Sequence, residues 1–526
     1  MKWVLDMDKY QDKDNIALID VGSNTIRLVI FNVDTSSLYN ISEVQNIKVP
    51  ARLVQHVEDG TMNEKGIQLL INLLKNYLKI IEEYKVDQLI AVATAAVRNS
   101  SNVDDIVQRV KDETNLELDV FSEAEEAYYG NYAVLHTFNI QDGLSVDIGG
   151  GSTEVTLFKN KKVMKSHSFP FGAVSLADKF FKEKDHSNNK AIKETRKWVK
   201  NEFKKIKWLS DTNLPLIGVG GSARNIGEVY QLQHDYPIAG IHGFSMKTDS
   251  VDEVLDLFAS LDNEEMGSLD GLSQDRRDTI IPANIVFQQL LAIGNSPSFV
   301  LSNRGLREGI LMKYLNETHN DPYDLYAVQQ QTIVRLSSQY NIREISTNQR
   351  ITIADMLLNE LERNGLLKVG LEHLQLMYYG ATLYNLGSYI ENDSSSQHTF
   401  YIISNTNISG FDHYDRVRLA LLASYKNRSL YRQYLSNMED WFSKDEKTLL
   451  MKLGSIIKFA EALNDVHVNT VENIQLEKNK DSSFNLNVTY SGEIISEDYR
   501  ANKQLNHFER AVGEDVNVYF TTSNDD

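Results

Sequence analysis

Two short segments of the chain share one pattern and combine glycines with charged side chains. Residues 20–31 read DVGSNTIRLVIF, and residues 147–158 read DIGGGSTEVTLF, so that Arg27 matches Glu154. Each segment follows a short apolar run and leads into β-branched residues, which predicts a strand, a tight turn and a second strand. Such turns expose backbone N–H groups to a phosphate oxygen. The repeat therefore predicts two similar lobes, each offering a phosphate-binding hairpin to a shared cleft.

The second hairpin places an acid on each side of its glycines, Asp147 before them and Glu154 after them. Three successive glycines allow positive φ and leave the backbone amides uncrowded. Carboxylates repel phosphate, but they suit a Mg²⁺ ion that bridges carboxylate, water and phosphate oxygens. The amides expected to bind phosphate here are those of Gly149, Gly150, Gly151 and Ser152.

The first hairpin replaces the glycines with Ser23, Asn24 and Thr25, which add hydroxyl and amide groups. It also carries Arg27, whose planar guanidinium matches phosphate and stays charged at any working pH. We therefore expect cationic donors in one lobe and metal-binding acids in the other.

Two further segments combine a strand end with groups that bind anions. Residues 93–102 (ATAAVRNSSN) end a strand and carry Arg98 where α/β sheets place ligand contacts. Residues 218–230 (GVGGSARNIGEVY) run from a strand through glycines into a helix, which presents N-terminal amides to an anion. Packing of small residues explains the second segment equally well.

An acidic helix start follows at residues 122–130 (SEAEEAYYG), with Glu123, Glu125 and Glu126 in its first turn. Acids are common there because they oppose the helix dipole. One that pointed into a phosphate cleft could instead orient or deprotonate an attacking water. The segment alone leaves both interpretations open.

The order of predicted elements gives an α/β fold in four parts. A strand–helix–strand series follows each hairpin, helical periodicity dominates from about residue 320 to 463, and two-residue alternation follows from 466. The predicted parts are an α/β lobe at 1–135, a second α/β lobe at 136–318, a helical domain at 319–464 and a small β-rich domain at 465–526 whose tail, 521–526, is disordered.

Composition excludes several classes of protein. The 526 residues carry a net charge of −19, whereas general nucleic-acid binders are basic. The sequence has no run of about 18 apolar residues, which is the length needed to span a membrane. The chain lacks cysteine, which excludes disulfides and thiolate chemistry and favours a cytoplasmic location.

Taken in order, the motifs resemble those of the exopolyphosphatase/guanosine pentaphosphate phosphohydrolase (Ppx/GppA) family, within the actin, Hsp70 and sugar-kinase superfamily. The motifs run in family order across residues 16–312, and the parts after 320 and 466 resemble the family's HD-like helical domain and small C-terminal domain, so the resemblance spans nearly the whole chain. It implies two actin-like, ribonuclease H-like lobes before those two domains. The stretches that carry it are ALIDVGSNTIRLVIF, AVATAAVRNSSN, FSEAEEA, VDIGGGSTEVTLF, FPFGAVSL, GVGGSARNI, LSQDRRDTIIPA and GLREGIL.

The resemblance also implies roles for individual residues. Glu125 would be the catalytic base for water, and Glu126 beside it is a further catalytic candidate. Asp147 and Glu154 would hold Mg²⁺ together with Asp20, and Glu154, also a catalytic candidate, would lie near the attacked phosphorus. The residues implied to bind phosphate are Ser23, Asn24, Arg27, Arg98, Gly149, Gly150, Gly151, Ser152, Gly221, Ser222 and Arg276.

The sequence departs from the family pattern at two places. Ser122-Glu123 stands where relatives often have Ser-Gly. The helical domain has LYNLGSY at 383–389 where relatives often carry a Leu-His-Asp-like run, so Tyr384 and Asn385 replace two metal ligands. His398 alone does not make a metal site. We therefore expect this domain to be architectural, or part of a polymer channel or dimer contact.

The leading functional hypothesis is Mg²⁺-dependent hydrolysis of the terminal phosphoanhydride of inorganic polyphosphate, by a homodimer that binds neither nucleic acid nor membrane. The nearest alternative is removal of the 5′ γ-phosphate of guanosine pentaphosphate (pppGpp). A kinase of the same superfamily is less favoured, because no adenine-pocket motif stands out. A non-catalytic alarmone sensor is the remaining alternative.

Overall fold

The structure, a computed structural model, describes residues 13–34, 41–182, 184–319, 325–464, 467, 470–492 and 496–523. The chain divides into two compact units. Described residues between 13 and 236 and between 241 and 328 form the first unit, whereas 237–240 and those from 329 onward form the second. Both repeated glycine segments lie in the first unit.

The first lobe of this unit is built on a five-stranded mixed sheet of order β3-β2-β1-β6-β7. Strand β1 pairs antiparallel with β2 and parallel with β6. Its elements are β1 (Lys13–Val21), β2 (Ile26–Asp34), β3 (Ile41–Val49), β4 (Val57–Glu58), β5 (Thr61–Met62), α1 (Glu64–Glu83), β6 (Gln88–Ala93), α2 (Ala95–Arg98), α3 (Val103–Thr114), β7 (Asp119–Val120) and α4 (Glu123–Thr137).

The second lobe is built on a six-stranded sheet of order β10-β9-β8-β11-β13-β12. Strand β8 pairs antiparallel with β9 and parallel with β11. Its elements are β8 (Gly143–Ile148), β9 (Thr153–Lys159), β10 (Lys162–Phe169), α5 (Ala173–Phe180), α6 (Asn189–Lys204), β11 (Leu216–Val219), α7 (Gly220–Gln233), β12 (Ser245–Met246), α8 (Thr248–Ser260), α9 (Asn263–Ser268), α10 (Ile280–Gly294), β13 (Phe299–Leu301) and α11 (Leu306–His319).

The repeated segments occupy equivalent places in the two sheets. Asp20 pairs with Arg27 across β1 and β2, and Asp147 pairs with Glu154 across β8 and β9. In each sheet the first hairpin strand lies parallel to a later strand, β6 or β11, which ends beside the turn. The sequence repeat therefore corresponds to a structural repeat.

The last helix of each lobe packs on the sheet of the other lobe. Ile310 and Leu311 of α11 join a buried cluster with β1 and β2, whereas Val134 and Leu135 of α4 join one with β9 and β11. A Cβ atom on Gly309 of α11 would overlap the backbone carbonyl of α4. The helices that complete each lobe are thus shared, although the predicted boundary at 135 lies between the described strands of the first sheet and those of the second.

The rest of the chain is mainly helical and ends in a three-stranded sheet of order β14-β15-β16. Strands β14 and β15 pair antiparallel, and β16 is parallel to β15. The elements are α12 (Leu325–Gln339), α13 (Glu344–Arg363), α14 (Leu371–Thr382), α15 (Ser395–Asn405), α16 (His413–Ala423), α17 (Arg428–Leu435), α18 (Lys444–Ala462), β14 (Val471–Lys478), β15 (Phe484–Tyr490), α19 (Glu497–Val512) and β16 (Val516–Thr522).

Two expectations for the C-terminal part need correction. Sequence patterning missed α19, a 16-residue helix that connects β15 to β16. A parallel pair needs such a crossover connection. The disordered tail was expected from residue 521, but Thr521 and Thr522 pair with β15. Residues 524–526 lie outside the described residues.

Candidate active site

The two hairpin turns face each other across a cavity of about 190 Å³ in the first unit. A Cβ atom built on Gly150 would lie 3.7 Å from the Cβ of Ser23, so the turns approach closely. The structure therefore brings both repeated segments to one cleft. The predicted site residues that line it are Asp20, Ser23, Asn24, Arg27, Glu126, Asp147, Gly149, Gly150, Gly151, Ser152, Gly221 and Arg276.

Both turns are closed by one backbone hydrogen bond. Gly22 N donates to Thr25 O at 3.0 Å, and Gly149 N donates to Ser152 O at 2.9 Å. The glycines at residues 149–151 allow positive φ, but none of them adopts it. A Cβ on Gly151 would meet no protein atom within 4 Å. Glycine thus leaves room for a ligand at this turn, rather than serving an unusual backbone conformation.

Positive φ occurs instead at Gly220, where β11 passes into α7 (φ 89°). A Cβ there would lie 2.6 Å from the Oδ1 atom of Asp147. Gly220 is therefore needed both for its conformation and for the close approach of α7 to this carboxylate.

Of the residues that the structure describes, five basic ones line the cavity: Arg27, Lys48, Arg224, Arg276 and Arg307. Burial, and then the charges of Arg307 and Arg224, lower the pKa of Arg27 to about 10. Burial likewise lowers the pKa of Arg224 and of Arg276. Among the described residues no carboxylate lies within 4.0 Å of Arg27 or Arg224. Mutually repelling, enclosed guanidinium groups favour a bound anion.

Three described carboxylates line the same cavity, those of Asp20, Glu126 and Asp147. Burial is the main cause that raises the pKa of each. For Glu126, the nearby charges of Asp147 and Asp20 raise it further. The negative charges of these acids therefore repel one another, and a divalent cation between them would relieve the repulsion.

The structure does not place Glu125, the predicted base, in the cavity. Its exposed carboxylate accepts hydrogen bonds from Ser122 N at 2.8 Å and from Ser122 Oγ at 2.7 Å, which caps α4. These bonds lower the pKa of Glu125. Glu126 lies about 100° further around the helix and lines the cavity. Glu123, the departure from the family pattern, is exposed to solvent.

Arg98 does not line the cavity but supports a residue that does. Its Nη1 atom lies 2.8 Å from Oε2 of Glu126 and also donates to the Phe121 carbonyl at 2.9 Å. The expectation that Arg98 contacts phosphate is thus replaced by an ion pair that fixes Glu126.

Two other predicted residues also lie behind the cavity wall. Glu154 is buried next to Asp147 on the paired strand, and its Oε1 accepts from Ser168 Oγ at 3.1 Å. Burial, and then the charge of Glu126, raise the pKa of Glu154 to about 8. Ser222 accepts a hydrogen bond from Arg276 Nη1 at 3.1 Å, so it supports that arginine.

Asp20 was expected to bind metal, but it has a cationic partner in the structure. Its Oδ2 atom lies 3.1 Å from Nη1 of Arg307 on α11. Asp147 has no ion-pair partner within 4.0 Å among the described residues. Asp147 is therefore the better-placed carboxylate for a cation.

Sequence reasoning missed several residues of the cavity wall. Arg224 and Arg307 belong to the motifs GVGGSARNI and GLREGIL, so attention to arginines inside these motifs could have found them. Lys48 lies on β3 with no motif around it. Its side chain lines the cavity and forms an ion pair with Asp275 at 2.6 Å. No sequence signal pointed to it.

The donor set fits Mg²⁺ bound partly through substrate. No three acidic or histidine side chains of the described residues converge tightly enough to enclose a metal alone. Mg²⁺ ordinarily uses one or two carboxylates, with waters and substrate phosphates completing six ligands. Asp147, with the acids around it, matches that mode.

In the helical domain, Tyr384, which stands where relatives often have a metal ligand, packs in the protein interior. Tyr384 is buried and its hydroxyl donates to the Tyr425 carbonyl at 3.2 Å. The guanidinium of Arg350 lies 5.5 Å from its ring centroid, and Arg350 also pairs with Glu461.

Among the helices that the structure describes, none is long and apolar enough to cross a membrane.

Comparisons with known proteins agree with this architecture. The Ppx/GppA phosphatase family model matches residues 29–318, and the model of domain III of the same family matches residues 328–509. A solved Ppx/GppA family structure from Aquifex aeolicus is 28% identical, with a TM-score of 0.52, and covers 59% of this chain and 100% of that one. The α/β sheets with a helical domain and a small C-terminal sheet, as expected from sequence, are thereby confirmed.

Three curated relatives have different names. A bifunctional 3-dehydroquinate synthase/phosphatase of Fusobacterium nucleatum is 32% identical over 58% of this chain, but the match spans only 47% of that protein. A guanosine-5′-triphosphate,3′-diphosphate pyrophosphatase of Pseudoalteromonas translucida is 25% identical (81% of this chain, 83% of that protein). Exopolyphosphatase 1 of Mycobacterium leprae is 23% identical (57% and 89%). With a family model that covers more than half of its residues, the chain belongs to the Ppx/GppA phosphatase family.

Proposed function

We propose that this enzyme hydrolyses the terminal phosphoanhydride of inorganic polyphosphate in a Mg²⁺-dependent reaction and releases orthophosphate. The observation that carries the proposal is the cavity itself, where two facing glycine turns meet five basic side chains and Glu126. Phosphoryl transfer depends mainly on positioning and on charge neutralisation, which such a cavity supplies.

The lining of the cavity favours a bare phosphate chain over a nucleotide. Among the described residues that line it, none is aromatic, so none can stack on a purine ring. The amides of Gly150 and Gly151 and the guanidinium groups of Arg27 and Arg224 suit phosphoryl oxygens instead, whereas the Gly149 amide, expected to bind phosphate, closes the turn.

Glu126 is the proposed base. A water oxygen attacks the terminal phosphorus, its proton passes to Glu126, and the bridging P–O bond breaks with its electron pair on the shortened chain. Arg98 orients the Glu126 carboxylate through the 2.8 Å ion pair. The raised pKa of Glu126 strengthens it as a proton acceptor near neutral pH.

Mg²⁺ would be held by Asp147, with Glu154 and Asp20 near it, and would neutralise charge that develops on the phosphoryl oxygens. The protein contributes the rest of the electrostatic stabilisation. Arg27, Arg224 and Arg276 bind phosphoryl oxygens in an enclosed site, where such interactions are stronger than in water.

The decisive experiment compares two adjacent isosteric substitutions, Glu126→Gln and Glu125→Gln. Phosphate release from long-chain polyphosphate should fall by about 10²–10⁴-fold in Glu126→Gln. In Glu125→Gln it should stay within a few-fold, because that carboxylate caps α4 outside the cavity. A fully active Glu126→Gln variant would remove Glu126 as the base. Addition of EDTA to the wild-type protein should abolish release.

Hydrolysis of pppGpp is the second candidate. The relative named for that substrate matches 81% of this chain, whereas the mycobacterial exopolyphosphatase matches 57%. Initial rates on long-chain polyphosphate and on pppGpp at equal phosphate concentration discriminate the two. Tight pppGpp binding without phosphate release from either compound would instead favour a sensor.

A further inference from the structure

A group of basic side chains meets in the second unit, apart from the motifs of the cavity. Nζ of Lys458 on α18 lies 2.9 Å from Nε2 of His507 on α19. Nη1 of Arg510 lies 3.2 Å from Nδ1 of the same ring, and Lys458 also donates to the backbone carbonyl of Lys426. These four residues form a basic cluster in which Lys458 and Arg510 flank one imidazole, while the Lys426 ammonium donates to the backbone carbonyl of Asp393 at 3.2 Å.

The hydrogen bonds of this cluster cannot all be satisfied when its basic groups are charged. Ammonium and guanidinium groups only donate, whereas a neutral imidazole has one donor and one acceptor nitrogen. With Lys458 and Arg510 both charged, one contact to His507 sets two N–H groups against each other. All contacts are satisfied when Lys458 is a neutral amine that accepts from Nε2 while Nδ1 accepts from Arg510.

The electrostatics of the cluster agree with this geometry. Burial, and then the charges of Arg510 and Lys426, lower the pKa of Lys458 to about 8. Burial and the charges of Lys458 and Arg510 lower the pKa of His507 to about 4. The imidazole of His507 is therefore neutral at pH 7, and Lys458 loses its proton near pH 8.

In the part of the chain that the structure describes, no acidic side chain forms an ion pair with the cluster. Among the described residues, no carboxylate oxygen lies within 4.0 Å of the basic nitrogens of Lys426, Lys458 or Arg510. Lys426 is exposed and Lys458 and Arg510 are half-buried, so the cluster is open to solvent. In a chain with a net charge of −19, basic groups gathered without acids point to an anion supplied from outside.

We propose that Lys426, Lys458, His507 and Arg510 form a binding site for a phosphate-type oxyanion. The oxyanion accepts hydrogen bonds from Lys458 and Arg510, which frees the imidazole from the donor conflict. Lys458 takes up a proton from solvent and becomes fully charged, and charge-assisted hydrogen bonds replace neutral ones. The same chemistry is offered by a polyphosphate segment, by the phosphates of a nucleotide and by free orthophosphate. The site does not depend on the proposed hydrolysis.

Protection of Lys458 from acetylation tests this site separately from the cavity. The full-length protein, in EDTA at pH 8, is acetylated briefly with and without tripolyphosphate, and modified lysines are quantified by peptide mass spectrometry. At ten times the dissociation constant, Lys458 modification should fall about tenfold, because about a tenth of the sites stay empty. Lys444 is the internal control, since it is exposed at the opposite end of α18, about 21 Å away.

The source of the oxyanion follows from parallel titrations with tripolyphosphate, orthophosphate and pppGpp. Protection by any of them, but not by NaCl of equal ionic strength, supports the site, and the lowest half-maximal concentration identifies the preferred source. Unchanged Lys458 modification with all three overturns the proposal. Arg510→Gln should weaken the protection, whereas Lys444→Gln should leave it unchanged. Full protection of Lys458 in a folded Arg510→Gln variant would also refute the proposal, because it would show that Arg510 does not contribute to the site.

Discussion

The contact between α4 and α11 is tight enough that one methyl group should disturb the catalytic cavity. A Cβ on Gly309 would overlap the carbonyl oxygen of Tyr129. To remove the overlap, the two helix backbones must separate by on the order of 1 Å, since packed interiors lack spare volume. Helix α4 carries Glu126, and α11 carries Arg307, which pairs with Asp20.

We therefore expect Gly309→Ala to impair both stability and activity. Overpacking of this kind costs about 1–3 kcal/mol. A 1 Å displacement of catalytic groups can lower the rate by about 10²-fold. The matched control is Gly130→Ala on α4, where a Cβ would meet no atom within 4 Å. That change should stabilise the helix by about 0.5–1 kcal/mol, because alanine is the better helix former.

The assay is phosphate release together with the urea midpoint of the first unit for both variants. A Gly309→Ala variant with wild-type rate and midpoint would refute the inferred coupling between helix packing and the cavity. Equal losses in both variants would also refute it, because the two substitutions would then act through helix chemistry rather than through the crossing.

Two further predictions concern the buried charges around Glu126. Burial raises the pKa of Glu154 to about 8. In the folded protein Glu154 therefore keeps its proton up to about pH 8, whereas in the unfolded chain it loses the proton near pH 4.5. The free energy of unfolding of the Mg²⁺-free protein should therefore fall as pH rises from about 4.5 to 8. Urea titrations across this range should show a shallower fall in Glu154→Gln, and an unchanged slope would contradict the assignment. Arg98→Met removes a cation that lowers the pKa of Glu126, so the acidic limb of the pH–rate profile should move to higher pH. Arg98→Lys should restore part of the wild-type profile, and a limb that stays in place in Arg98→Met would argue against positioning by this pair.

Local sequence patterns were sufficient for the hairpins and most helices. The register that pairs Asp20 with Arg27 follows from alternation over adjacent strands, and the turn between them is set by neighbouring residues. Helix α19 was missed because its hydrophobic stripe is narrow and lies between two β-like segments. Its packing against α18 is a tertiary contact that local periodicity does not encode.

The choice between Glu125 and Glu126 illustrates the limit at the active site. Adjacent helix positions differ by about 100°, so one residue of the pair must face away from any given surface. Which one faces the cavity depends on how α4 is oriented against the second sheet. Sequence placed both acids at the helix start, and the orientation of the helix selected Glu126.

By itself, the sequence determined the two glycine hairpins, their likeness, the helical domain and the family, because these depend on contacts between residues close in the chain. The tertiary structure decided which charges share the cavity. Lys48 and Asp275 are separated by 227 positions, and Asp20 and Arg307 by 287. Such pairs form only when the sheets and crossing helices bring distant segments together, and no local pattern specifies that distance.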